Sequence, residues 1–362
     1  MSSVVESGSE ESETPVVEID MGESDPSDSH VSCKIRWGLW THKVKRKLTY
    51  YGLAIQLSWP HFQPYVAEFL GTLFLVLLCI GSLSSLVLIG ALKGIWELAV
   101  VCGTALGLAI YGTAYVSGAH LNPAISLTMA IWQYRTGFTF KKALLYWVAQ
   151  LLGSIAAGFL NYALFNALIA EYEQLNNIHR GQSGSELSAM IFVNYFPNPG
   201  YYPQYYTPTT NASSASINGP LLTLLSPANA LFCEAFGSGM LSFMAFALTD
   251  PDNRAMPRKE LAPYFIGLTL TCLIAVIGPI TMASFNPARD LGPRFVAAAL
   301  GWGTVAFPGS RIGFWVYILG PFIGAPIGGG IYLLLLGKRP RSTRSRRLTH
   351  SARERQVHYD DE

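Results

Sequence analysis

Asn122-Pro123-Ala124 and Asn286-Pro287-Ala288 are two copies of one triplet, each following a long uncharged segment and beginning a short apolar one. Pro is favoured as the first residue of a helix, because its missing N–H would lack an intrahelical partner there anyway. Asn just before it is among the best N-cap residues, since its side-chain oxygen accepts from orphan N–H groups. Each triplet therefore predicts a helix start at a depth where lipid-facing backbone could not be tolerated. Helices broken at membrane depth persist only when buried in protein or lining a wet cavity. Two of them in matching places predict a pore.

Half of the residues are apolar, only 13% are charged and Gly is abundant, which fits a polytopic membrane protein better than a soluble domain. Stretches free of Asp, Glu, Lys and Arg run over 69–92, 98–134, 143–170, 235–249, 261–288 and 312–337. A span of a hydrocarbon core takes roughly 20 apolar residues, and most of these stretches reach that length. The short fourth one extends backwards through the uncharged, leucine-rich 221–233, with only Glu234 interrupting. Six spans are predicted, at about 65–91, 95–115, 143–169, 227–249, 261–281 and 312–337. The polar, charged first 60 residues carry no cleavable signal-peptide pattern. The five cysteines, Cys33, Cys79, Cys102, Cys233 and Cys272, lack a CxxC spacing and fall mostly inside spans, so neither a disulfide framework nor a metal site is expected.

With both termini placed in the cytosol, 20 of the 25 basic residues lie on the cytosolic side, including Lys43 to Lys47, Lys141, Lys142 and the run from Lys338 to Arg355. The positive-inside rule favours that orientation, and an even number of spans is consistent with it. Residues 1–61 then form a cytosolic, disordered N-terminal tail, and 338–362 a basic cytosolic C-terminal tail, where Ser342, Thr343 and Ser345 are candidate phosphorylation positions. Between them, 62–337 is the membrane domain. It comprises repeat 1 (about 62–170), an extracellular connection (171–226) and repeat 2 (about 227–337).

The repeat is read from paired landmarks. Glu68 precedes Asn122 by 54 residues and Glu234 precedes Asn286 by 52, while Gln150-Leu-Leu-Gly153 is echoed by Pro321-Phe-Ile-Gly324. Three spans per half invert the second copy, which is a twofold relation about an axis in the membrane plane. The segment from Asn122 to about Trp132 makes about 16 Å of helix, half of a core about 30 Å thick. The segment after Asn286 runs similarly to about Leu300. Entering from opposite sides, the two half-helices can meet end to end with their positive dipole ends at the midplane, an arrangement that disfavours cations and protons. The Asn122 and Asn286 amides are then candidate donors to passing solute. The irregular runs 117–121 and 281–285 are candidate walls of carbonyl acceptors.

The chain resembles the major intrinsic proteins, the aquaporin and aquaglyceroporin family. The likeness is carried by Ser-Gly-Ala-His-Leu-Asn-Pro-Ala over 117–124 and Asn-Pro-Ala-Arg-Asp-Leu-Gly-Pro-Arg over 286–294, and it covers about 62–337. It implies an all-α membrane fold of six transmembrane helices plus two re-entrant half-helices in an inverted repeat. It also implies a homotetramer in membrane lipid with one pore per subunit, and passive conduction with no cofactor and no metal. Arg289 resembles the filter arginine; counting back from the second motif, Ile274 and Ala283 fall at two further filter positions, and Cys102 falls at the fourth. Water-selective members usually place His at the Ile274 position, and typical glycerol facilitators place aromatics at those of Cys102 and Ala283. This chain has neither pattern, so a wider and less polar constriction is expected. Asp290 resembles the glycerol-conducting branch, whereas Tyr317 stands where Pro is common in that branch. The tails and the long Tyr-, Pro- and Asn-rich connection make the chain most like a fungal aquaglyceroporin.

Glu68 and Glu234 are carboxylates inside spans, which makes them functional candidates by default, including as proton relays. Each also lies on the side from which its own half-helix loop enters, which favours acceptance of backbone N–H groups. His120 reads as loop bracing or as a pore contact. Asp290 is a candidate partner of Arg294, and Asn211-Ala212-Ser213 is a glycosylation sequon at Asn211 on the extracellular side. No catalytic set or phosphate loop stands out, so an enzyme is not expected, nor a nucleic-acid partner. The expected function is a channel in the plasma membrane for water and small neutral solutes, glycerol foremost, excluding ions and protons. The competing readings are a water-dominant channel leaking ammonia, urea or peroxide, and a coupled secondary transporter of small polar solutes.

Overall fold

The computed structural model describes residues 40–132, 137–203, 206, 225–256 and 258–337, with side chains from residue 60 onward. The chain divides into two units, Met1–His61 and Phe62–Glu362, and the second carries the site. The helices are α1 (Trp40–Ile89), α2 (Ile95–Ser117), α3 (Pro123–Trp132), α4 (Phe140–Leu175), the single turn α5 (Glu186–Ala189), α6 (Pro227–Thr249), α7 (Ala262–Thr281), α8 (Pro287–Ala297) and α9 (Val316–Ile331), and the described residues contain no strand. Six segments are long and apolar enough to cross a membrane: Pro60–Ile89, Ile95–Ser117, Phe140–Leu175, Pro227–Thr249, Lys259–Thr281 and Val305–Leu336.

Local chemistry sets where these helices begin and end. Ser226 caps α6, its Oγ accepting from the Asn229 N–H at 3.2 Å, with Pro227 in the first turn. Thr139 caps α4 in the same way through the Lys142 N–H at 3.3 Å, so that helix starts ahead of the expected 143. Two boundaries differ more. The half-helix after Asn286, expected to reach Leu300, leaves regular α geometry at Ala297 and continues as a wider π turn, with Gly301 at φ 107°. The last span, expected from 312, becomes regular only at Val316, because Arg311 (φ 62°) and Ile312 (φ 55°) sit in left-handed backbone.

The two halves pack as copies. Gly103 lies 19 residues before Asn122 and Gly267 lies 19 before Asn286. A Cβ on either would run into the other's backbone carbonyl, so α2 and α7 cross with their main chains touching at this pair. Gly153 of α4 abuts the carbonyl of Phe69, the residue after Glu68, and Gly324 of α9 abuts that of Ala235, the residue after Glu234. Small residues permit such close crossings, which replace the missing hydrophobic drive between helices in lipid with dense packing. Half-helix α3 lies against α4 and α9, and α8 lies against α4.

Candidate functional site

The loops leading into α3 and α8 follow the same path. Gly118 and Met282, Ala119 and Ala283, and Leu121 and Phe285 are equivalent pairs counted from the two asparagines. All six have positive φ, between 49° and 86°. For residues other than Gly this conformation costs about 1–2 kcal/mol each, and the buried carboxylates supply the compensation. Glu68 accepts from the His120 N–H (2.9 Å), the Leu121 N–H (2.7 Å), the Ser117 hydroxyl (2.6 Å) and Gln150 Nε2 (2.7 Å). Glu234 accepts from the Ser284 N–H (3.2 Å), the Phe285 N–H (2.8 Å) and the Thr281 hydroxyl (2.6 Å). Between its two oxygens, each carboxylate holds the two backbone N–H groups just ahead of its asparagine, together with the hydroxyl five positions ahead.

The two triplets meet. Asn122 Oδ1 caps α3 through the Ala124 N–H (2.9 Å), and Asn286 Oδ1 caps α8 through the Ala288 (3.0 Å) and Arg289 (3.3 Å) N–H groups. The opposite ends of the amides are exchanged: Asn122 Nδ2 donates to the Phe285 carbonyl and Asn286 Nδ2 to the Leu121 carbonyl, both at 2.8 Å. These bonds stitch one half-helix to the other. An amide –NH2 has two hydrogens, so each asparagine keeps one donor beyond the stitch. Pro123 and Pro287 occupy the first helical positions, and Ala124 and Ala288 are buried behind them.

A cavity of about 300 Å³ passes this junction. Both asparagines, Cys102, Ile274, Ala283 and Arg289 line it, and it continues past His120 to Thr249 and Lys259. The four filter candidates are thus brought to one space. Residues 118–122 and 282–286 line it; the Leu121 and Phe285 carbonyls accept from the asparagine stitch and that of Ser117 from the Tyr146 hydroxyl (2.8 Å). The His120 Nδ1 lies 3.2 Å from the Ser126 hydroxyl, its ring packs edge-on against Phe138, and the residue borders the cavity.

Residues 191–198 of the α4–α6 connection are buried, and Asn194 of this stretch contacts Arg289. Asn194 is its working residue. Arg289 Nη1 donates to Asn194 Oδ1 at 2.7 Å, the Asn194 N–H donates to Asp290 Oδ1 at 3.1 Å, and Arg294 Nη2 donates to the Asn194 carbonyl at 2.9 Å. Asp290 and Arg294, each 1% exposed, pair through two bonds of 2.9 Å. Asp290 thus contacts both the Asn194 backbone and Arg294, one helical turn away. Tyr195 seats the same loop, its hydroxyl donating to the Val305 carbonyl at 2.8 Å, and burial pushes its phenol well above the ordinary value. No sequence signal marks Asn194, which lies 95 residues from Arg289 in a connection without motifs. Asn211 lies outside the described residues.

The comparisons with known proteins agree with this architecture. Residues 56–332 match the family described as Major intrinsic protein. A glycerol uptake facilitator protein of Pseudomonas aeruginosa is 37% identical over 275 residues, covering 75% of this chain and 88% of that one. A propanediol uptake facilitator of Citrobacter freundii is 38% identical over 275 residues, covering 75% and 91%. Among solved structures, the aquaglyceroporin from Plasmodium falciparum superposes with a TM-score of 0.60 at 23% identity, covering 76% of this chain and 96% of that one, a likeness of fold. The chain is an integral membrane protein and belongs to the major intrinsic protein family.

Proposed function

We propose that this protein is a passive transmembrane channel for water and small uncharged solutes, with glycerol as its principal solute. The observation that carries the reading is the cavity running past two stitched asparagine caps and a single guanidinium, with apolar side chains over most of its wall. An apolar wall facing a few fixed polar groups lets a polyol slide with its carbons on one side and its hydroxyls on the other. Glycerol and propanediol facilitators among the relatives support that solute class. In this reading Asn122 and Asn286 offer their second amide hydrogens to the solute. Arg289, Cys102, Ile274 and Ala283 form the filter, and Glu68, Glu234, His120 and Asp290 hold the loops. Two helix N-termini, each worth about half a positive charge, join Arg289 in opposing cations.

The working form is a homotetramer in the plasma membrane with one pore per subunit and both termini in the cytosol, which puts the Asn194 connection outside and Lys259 inside. Conduction takes no cofactor and makes or breaks no covalent bond. The test is stopped-flow light scattering on proteoliposomes under an isosmotic glycerol gradient. Fast glycerol influx, abolished in an Asn122→Ala, Asn286→Ala double variant that still reconstitutes, is the expected result. Fast water flux under an impermeant-sugar step with no glycerol influx would overturn the glycerol assignment.

A further inference from the structure

We propose that the His120 side chain is a further solute-contact residue. Gln150 and Ser126 fix its tautomer so that Nε2 carries the ring hydrogen and donates it to oxygen atoms of solute in the cavity. The bond directions follow from Glu68 outward. Gln150 is fully buried, and its Nε2 donates to Glu68 Oε2 at 2.7 Å and to the Ser126 hydroxyl oxygen at 3.1 Å. An amide –NH2 has two hydrogens and only donates, so both contacts run away from Gln150. Ser126, also fully buried, receives one of these hydrogens and has its own left to give. Its one other side-chain partner among the described residues is His120 Nδ1, at 3.2 Å. Nδ1 is then the acceptor, and a neutral imidazole with an accepting Nδ1 carries its hydrogen on Nε2.

Nε2 itself makes no bond to another described residue, and it is not among the buried polar atoms left without a partner, so it stays open to the cavity that His120 lines. A Cβ added at Gly118, another lining residue, would meet Nε2 at 3.6 Å. Phe138 and Tyr146 pack edge-on against the ring, with centroids 4.5 and 5.2 Å away, and hold its orientation. The contact with Phe138, between α3 and α4, puts the ring on the side of the asparagine junction that the proposed orientation assigns to the cytosol. The second half of the chain shows that the loop path does not require an imidazole. Counted from the two asparagines, Ser284 matches His120 and Asp290 matches Ser126, while Pro321 stands in the echo of Gln150. The backbone there takes the same left-handed steps, and the Ser284 hydroxyl turns back onto the Asn286 carbonyl at 3.1 Å. The series of amide, hydroxyl and imidazole thus belongs to the first half alone. With Nε2–H in place, His120 joins Asn122, Asn286 and Arg289 as a donor. In the other tautomer Nε2 would turn a bare lone pair to the cavity and repel the oxygens of a polyol. Water can turn to other partners, whereas the oxygens of a polyol are held at fixed spacing by its carbons, so the polyol gains more from a fixed donor.

The inference rests on the channel reading, and its experiment measures tautomer and flux separately. Full-chain protein carrying histidine labelled with the heavy nitrogen isotope is reconstituted in lipid vesicles for magic-angle-spinning NMR. The chain has seven histidines, and the difference from His120→Gln isolates the His120 ring. The expected spectrum has the hydrogen on Nε2 and none on Nδ1. Ser126→Ala removes the donor to Nδ1 and should bring in the second tautomer. In stopped-flow measurements, His120→Phe keeps an aromatic ring against Phe138 and Tyr146 and should lower glycerol flux severalfold relative to water flux. His120→Gln, with an amide hydrogen near the Nε2 position, should recover most of that ratio. Hydrogen on Nδ1 in the conducting parent overturns the inference, and so does a glycerol-to-water ratio in His120→Phe equal to the parent's. An unchanged ring spectrum in Ser126→Ala overturns the assignment of the lock. Absence of both fluxes in the parent overturns the channel reading and the solute contact with it, whatever the ring spectrum shows.

Discussion

Arg289 is a charged side chain with one side-chain acceptor among the described residues, Asn194 Oδ1 at 2.7 Å. Asn194→Ala removes that acceptor yet leaves the backbone bonds that Asn194 makes with Asp290 and Arg294. A hydrogen bond to a charged group is worth about 1.5–3 kcal/mol, so the variant should fold while its guanidinium gains freedom. The expected outcome is weaker discrimination between glycerol and a five-carbon polyol in parallel isosmotic gradients, and unchanged discrimination would show that Arg289 is held by its own backbone alone. The neighbouring pair behaves differently. Asp290 and Arg294 are both buried, and removing one partner of a buried pair costs about 3–5 kcal/mol because the other charge is left uncompensated. Asp290→Ala should therefore sharply lower the thermal midpoint of the detergent-solubilised protein, and an Asp290→Ala, Arg294→Met double variant should recover part of the loss. The sequence made Arg289, Asp290 and Arg294 visible because they share one motif within nine residues, 286–294. Asn194 stayed hidden because its role arises from a contact across the fold.

At the scale of elements, starts were more legible than ends. Asn followed by Pro announces an N-terminus through backbone chemistry that operates at any depth, and α3 and α8 begin at Pro123 and Pro287 accordingly. Between Ala298 and Trp315 the chain passes through π and 3-10 turns, and its left-handed residues include Arg311 and Ile312. Neither is a favoured left-handed residue, so no local signal placed that break. Glycine spacing carries information that composition conceals. Gly103 and Gly267 let α2 and α7 touch main chain to main chain, whereas a Cβ added at Gly112 of α2 would meet no atom within 4 Å. Overpacking typically costs about 1–3 kcal/mol, and here the obstacle is backbone that cannot rotate away. Gly103→Ala and Gly267→Ala should each reduce the folded, monodisperse fraction on size exclusion by a large factor, with Gly112→Ala close to the parent. Equal behaviour of all three would mean that the crossing is looser than the packing requires.

For the whole molecule, the twofold arrangement decides between a channel and a coupled carrier. A carrier driven by protons or sodium needs a group near the midplane that changes its occupancy during the cycle. The junction offers two asparagine amides, each committed by one hydrogen to the opposite loop and by its oxygen to its own helix. The carboxylates that hold its loops, Glu68 and Glu234, use both oxygens to bind backbone N–H groups. Loading either with a proton would remove acceptors from loops whose left-handed residues depend on them, so both are fixed parts of the frame. Alternating access would also have to part the exchanged Asn122 and Asn286 bonds, which join the two halves at their centre. Glycerol flux in proteoliposomes should therefore scale linearly with its gradient. Replacing sodium by potassium, collapsing a proton gradient with an ionophore or clamping the membrane potential should leave the rate unchanged. Uphill glycerol accumulation under any imposed ion gradient would sink the channel reading, because a frame held fixed at its centre has no means of coupling one flow to another.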